Sequence, residues 1–106
     1  MGFFDFLRLP DINAGVVRCK ATPGAVLLDV READEYAAGR IPGSVNLPLS
    51  IIDTAETLLN DRSAPLFVYC LRGSRANRAV RRLRELGWAQ CESIGGIADY
   101  RGEIER

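Results

Sequence analysis

The sequence predicts an α/β domain built on a central parallel sheet of four to five strands, with helices on both faces. Three observations predict it. Ala25–Val30 and Pro65–Tyr69 are short runs of consecutive apolar residues, the pattern of strands buried on both sides. The segment Ser74–Leu86 places Ala76, Ala79, Val80, Leu83 and Leu86 on one face of a helix, and Gly87 ends it. Strand-like and helix-like segments alternate along the chain, as a parallel sheet with crossover connections requires.

The elements follow in order. Pro23-Gly24 bounds the first strand, Ala25–Val30. Glu32–Ala38 reads as a short helix stopped by Gly39, and Ser44–Leu47 as a brief second strand closed by Pro48. Ser50 is placed to cap a helix carrying Ile51, Ile52, Ala55, Leu58 and Leu59 at helical spacing. After the Pro65–Tyr69 strand and the long helix, Cys91–Ile94 is the last strand. Gly95-Gly96 is expected to turn, and Ile97 onward to form a terminal helix. No repeat or linker divides the chain, so residues 1–106 read as one domain: an N-terminal extension or helix over 1–19 and a core over 20–105.

Composition narrows the function. Fourteen basic and 14 acidic side chains give a formal net charge of zero, which points to neither a nucleic acid nor an acidic membrane as partner. The apolar start, Met1–Leu7, is too short for a signal-peptide core, and Phe6 stands where a myristoylation signal requires Ser or Thr. A cytoplasmic location is expected. The chain has three cysteines, Cys19, Cys70 and Cys91, no Cys-x-x-Cys pair and no histidine. Disulfide frameworks, histidine metal sites and histidine-assisted nucleophiles are thereby disfavoured. A reactive cysteine here must be activated by backbone and arginine.

Cys70 is the candidate. It ends a strand, and Leu71-Arg72-Gly73-Ser74-Arg75 leads straight into a helix. Converging backbone N–H groups and the helix dipole make such a junction an anion cradle that favours a thiolate. Gly73 frees the loop's backbone, while Arg72 and Arg75 add permanent charge. Cys19 and Cys91 read as inert core. Asp29 and Arg31 point the same way from a strand end, and Glu35 lies one helical turn beyond Arg31. All three read as supports of the strand-to-helix turn, contact with substrate being the alternative, and an ion pair is expected between Arg31 and Glu35. Ile41-Pro42-Gly43 is expected to set a rigid turn near the loop. Arg78, Arg81, Arg82 and Arg84 read as the solvated face of an amphipathic helix, a docking surface for an acidic partner being the alternative.

These motifs together resemble the rhodanese-like family. The blocks are Asp29-Val30-Arg31, Glu35-Tyr36, Gly39-Arg40-Ile41-Pro42-Gly43-Ser44-Val45-Asn46-Leu47-Pro48, Val68-Tyr69-Cys70-Leu71-Arg72-Gly73-Ser74-Arg75, Leu86-Gly87-Trp88, and Ile94-Gly95-Gly96 with Tyr100. They stand in the family's order over roughly residues 20–105. Two positions depart: Arg40 replaces a usual His near the inferred site, and Tyr100 replaces a usual Trp. The resemblance implies a rhodanese-like fold and a sulfurtransferase without cofactor or metal. Its nucleophile would be Cys70, its substrate-binding residues Leu71, Arg72, Gly73, Ser74 and Arg75, and its supporting residues Asp29, Arg31, Glu35 and Arg40.

The expected chemistry passes a sulfur from thiosulfate or a low-molecular-weight persulfide through a Cys70 persulfide to a thiol or cyanide. A protein persulfide is a further possible donor. A thiolate meeting an anion at 4 Å is opposed by about 4 kcal/mol per charge pair at an effective dielectric of 20, so the cradle must offset repulsion. Two alternatives stay open. One is a phosphatase or arsenate reductase, although those use Cys-x5-Arg where this chain has Cys-x4-Arg. The other is a non-enzymatic sulfur carrier, sensor or docking module.

Overall fold

A computed structural model describes residues 10–106. The elements run α1 (Ile12–Ala21), β1 (Val26–Asp29), α2 (Ala33–Ala38), β2 (Val45–Asn46), a 3₁₀ segment (Leu49–Thr57), β3 (Leu66–Cys70), α3 (Ser74–Glu85), β4 (Cys91–Gly96) and a short 3₁₀ turn (Ile97–Asp99). The four strands form one parallel sheet in the order β2-β1-β3-β4. The chain therefore moves outward from β1 to β2, then returns to place β3 on β1's other side. The ends of β1 and β3 lie at this switch, where open α/β sheets carry their sites.

Strand alternation divides the core. Leu28, Val30, Leu66, Val68 and Cys70 face α3 and the 3₁₀ segment, packing with Ala76, Ala79, Leu83 and Trp88. Leu27, Phe67, Tyr69 and Ile94 face α1, packing with Ile12, Val16 and Cys19. Burying each Leu- or Val-sized side chain contributes about 1.5–3 kcal/mol, so both faces stabilise the sheet. The expected α/β sheet with helices on both faces is what forms.

Three local expectations are corrected. The segment after Pro48 is 3₁₀ rather than α-helical, with non-helical angles at Ile51 and Thr54. Ser50 does not cap it; its hydroxyl donates to the Glu32 carboxylate. Gly95 and Gly96 belong to β4, where a register shift against Val68/Tyr69 accommodates one extra residue and Gly95 takes φ +109°. Beyond Asp99 the chain does not continue as a helix; it extends, and Glu105 bridges antiparallel to Arg40. Phe3, Phe4 and Phe6, whose apolar side chains the sequence suggests would pack on the core, lie outside the described residues.

Candidate active site

β3 runs directly into α3 through Leu71-Arg72-Gly73, and the junction closes on the Cys70 sulfur. Cys70 is 1% exposed. Its Sγ accepts from the Gly73 N–H at 3.0 Å and the Ala76 N–H at 3.3 Å. Gly73 is the N-cap of α3 and adopts φ +111°, a conformation costly for any residue with a Cβ. Ala76 sits at the helix's third position, where an N–H has no intrahelical acceptor, so the sulfur takes the place of a side-chain cap. The amides of Ser74 and Arg75, at the first two helical positions, have no acceptor among the described residues. The sulfur thus sits at the N-terminal end of a 12-residue helix, with two N–H donors aimed at it.

β4 sets the loop's depth. A Cβ on Gly96 would overlap the Leu71 carbonyl and lie 2.5 Å from the Arg72 Cα, so only glycine lets the loop rest on the strand end. The Ala98 N–H then donates to the Leu71 carbonyl at 3.1 Å. Sequence reasoning took Gly96 for a turn residue and missed this role. It also missed the Ala76 N–H, whose signal is its position six residues after the cysteine in a helix's first turn.

The arginines divide their work. Arg75 points at Glu35, donating from both terminal nitrogens at 2.6 and 3.0 Å. Glu35 also accepts from the Glu32 N–H at 3.0 Å in a capping box at the start of α2. The Arg75 guanidinium holds the Glu35 carboxyl down at about 2, below the usual carboxylate range. Arg72 is exposed and has no carboxylate partner among the described residues. Leu71 and Ser74 are exposed on the loop.

The expected Arg31–Glu35 pair is corrected. Arg31 turns back onto Asp29, donating through Nε at 3.0 Å and Nη2 at 2.7 Å, and reaches the Gly39 carbonyl at 2.7 Å. Both residues are buried, and the pair ties the turn after β1 to the strand end. Arg40 hydrogen-bonds to Glu105 and the Tyr36 carbonyl, and its guanidinium lies 5.1 Å from the Tyr36 ring centre. The Ile41–Ser44 turn forms with Gly43 at φ +85° and is tied to β3 by Tyr69, whose hydroxyl accepts from the Ile41 N–H and donates to Ser44. Cys19 and Cys91 are buried thiols; burial raises both, Cys91 to about 12.

A cysteine sulfur under two helix N-terminal amides, at the switch point of a small parallel sheet, defines a thiolate-cradle protein of the rhodanese type. The comparisons with known proteins agree: the rhodanese-like domain model matches residues 16–103, and the chain belongs to that family. It is similar to the thiosulfate sulfurtransferase PspE of Escherichia coli, 30% identical over 73 residues, covering 68% of this chain and 70% of PspE. It is 28% identical over 96 residues to the adenylyltransferase and sulfurtransferase uba4 of Ogataea parapolymorpha, covering 90% of this chain but only 25% of that protein. Among solved structures, the human single-domain sulfurtransferase TSTD1 superposes with a TM-score of 0.71 at 27% identity, covering 87% of this chain and 95% of TSTD1. Among the described residues no helix is long and apolar enough to cross a membrane.

Proposed function

We propose that this protein is a sulfurtransferase that carries sulfane sulfur on Cys70. The observation that carries the proposal is the pair of N–H donors, from Gly73 and Ala76, on the Cys70 sulfur. In the first step the thiolate attacks the outer sulfur of thiosulfate, forming the S–S bond of a Cys70 persulfide as sulfite leaves with the electron pair of the broken bond. In the second step cyanide or a thiolate takes the terminal sulfur and returns the Cys70 thiolate. Charge balances in both steps, and neither needs an oxidant.

The geometry supports the following proposed roles. Gly73 and Ala76 hold the sulfur, and the unpaired amides of Ser74 and Arg75 face the added sulfur or the donor's oxygens. Arg72 attracts anionic donors. Arg75, tied to Glu35, acts chiefly through the position it gives the loop. Asp29 and Arg31 brace the end of β1, Leu71 rests its carbonyl over Gly96, and Arg40 anchors the C-terminal segment. A low-molecular-weight persulfide or a protein persulfide fits the same cradle as donor. Because Glu35 occupies the guanidinium of Arg75, the arginine at the helix end of the loop is not free to clamp a phosphate, which favours sulfur over phosphoryl chemistry.

The test is thiosulfate:cyanide transfer with thiocyanate detection for wild type and Cys70→Ser. Thiocyanate should form only with wild type. Equal turnover by the two, or hydrolysis of an aryl phosphate in place of sulfur transfer, would overturn the proposal.

A further inference from the structure

Two clefts meet beside the loop, on the side of α3 and β4. One, of about 240 Å³, is lined by Arg72, Gly73, Ser74, Gly96 and Asp99 among others. The second, of about 560 Å³, lies between α3 and β4 and is lined by Asn77, Val80, Arg81, Arg84, Glu92 and Ser93. Asn77 and Ser93 line both clefts, so they form one groove from the catalytic loop down the length of α3.

Three properties of this groove point to an occupant. Its charge is one-sided: Arg72 and Arg81 have no carboxylate partner among the described residues, and Arg84 spends one bond on the Cys91 carbonyl. Glu92 is already neutralised by Arg18 at 2.6 Å, which leaves Asp99, at the loop end, as the uncompensated acid of the lining. Among the described residues the floor, β4, is an edge strand with β3 as its one neighbour in the sheet, the kind of edge extended peptides use for backbone pairing. Where the clefts meet, the Ser93 hydroxyl is buried without a hydrogen-bond partner among the described residues, a cost that a docked polar group would relieve.

We infer that the groove between α3 and β4 docks an extended acidic segment of the protein that exchanges sulfur with Cys70. Its carboxylates would lie along Arg81 and Arg84, and its less acidic end beside Asp99 and the loop. A chain with 14 basic and 14 acidic side chains has no global attraction for acid, so the selectivity is local to this stripe. A nucleic acid fits less well, because its evenly spaced phosphates would meet Asp99. The inference rests on the sulfur-transfer reading but is tested separately from it.

The probe is a fluorescein-labelled hexaglutamate peptide, followed by anisotropy at low and high salt. Wild type should bind it and release it at high salt. Arg81→Glu should weaken binding about tenfold, while Lys20→Glu, an equal charge change on exposed α1, should leave it within about twofold. Arg81→Glu should keep the wild-type thiosulfate:cyanide rate. Absence of binding, equal weakening by Lys20→Glu, tighter binding of a hexanucleotide, or a parallel fall in the thiosulfate:cyanide rate would each overturn the inference. Failure of the sulfur-transfer reading would instead appear as a wild type that makes no thiocyanate, whatever the peptide does.

Discussion

Cys70 and Cys91 belong to the same core cluster on neighbouring strands, and they are 1% and 4% exposed. By burial alone they would be equivalent. They differ in what surrounds the sulfur. Cys91 begins a strand, its carbonyl is taken by the Arg84 side chain, and burial pushes its thiol up to about 12. Cys70 ends a strand at the first turn of a helix, where unpaired N–H groups point at it. The comparison teaches that two equally buried thiols differ by where the strand stops, and one helix start separates Cys91 from the proposed nucleophile.

The largest effect that can break the comparison is exchange of the two thiols for other residues. Cys70→Ser should lower sulfur transfer by at least about a thousandfold, and Cys91→Ala should leave it within about twofold while lowering thermal stability. Equal losses of activity would erase the distinction. Next comes the support under the loop: Gly96→Ala forces Leu71 off the strand end, moves the amides from Cys70, and should cost about a hundredfold in kcat. Circular dichroism should show the fold retained, so that the loss is assigned to the loop.

A smaller effect is expected where the cradle is braced. Glu35→Gln removes the charge that holds Arg75 and should lower kcat about tenfold, with less change in the KM for thiosulfate. Arg72→Ala should do the reverse, raising KM for thiosulfate more than for a neutral persulfide. If the two variants changed the same parameter, the division between bracing and attracting arginines would fail.

The smallest effect concerns pH. The folded Cys91 thiol sits at about 12 against an ordinary 9.0, so the folded state holds its proton where the unfolded state loses it. Its contribution to stability is therefore whole below pH 9 and declines as pH rises from 9 toward 12. In denaturant titrations, Cys91→Ala should show a shallower fall across that window than wild type. Glu35 acts in the opposite direction: its depressed carboxyl adds stability above the ordinary carboxylate range, and this is lost as pH falls toward about 2.

The sequence made the strands around the site legible because β1 and β3 are mostly apolar runs, and the loop legible because Gly73 and a helical stripe follow Cys70 within a few residues. It did not disclose contacts between distant segments. Arg75 and Glu35 are 40 residues apart, and four-residue spacing suggested Arg31 as the partner of Glu35 instead. The pleat and the buried cost of Asp29 turned Arg31 the other way. Helical spacing over Ile51–Leu59 was also real, but Pro48 and the non-helical angles at Ile51 and Thr54 fold it as 3₁₀. The Gly95-Gly96 pair read as a turn because a bulge and a close approach leave the same signature in sequence as a reversal.

The central claim is that the helix start, not burial, selects the reactive sulfur. Its most direct test is peptide-mapped mass spectrometry after exposure to thiosulfate, with no acceptor present. A gain of one sulfur atom confined to Cys70, and absent from Cys70→Ser, is the predicted result. The same gain on Cys91, or on none of the three cysteines, would contradict it.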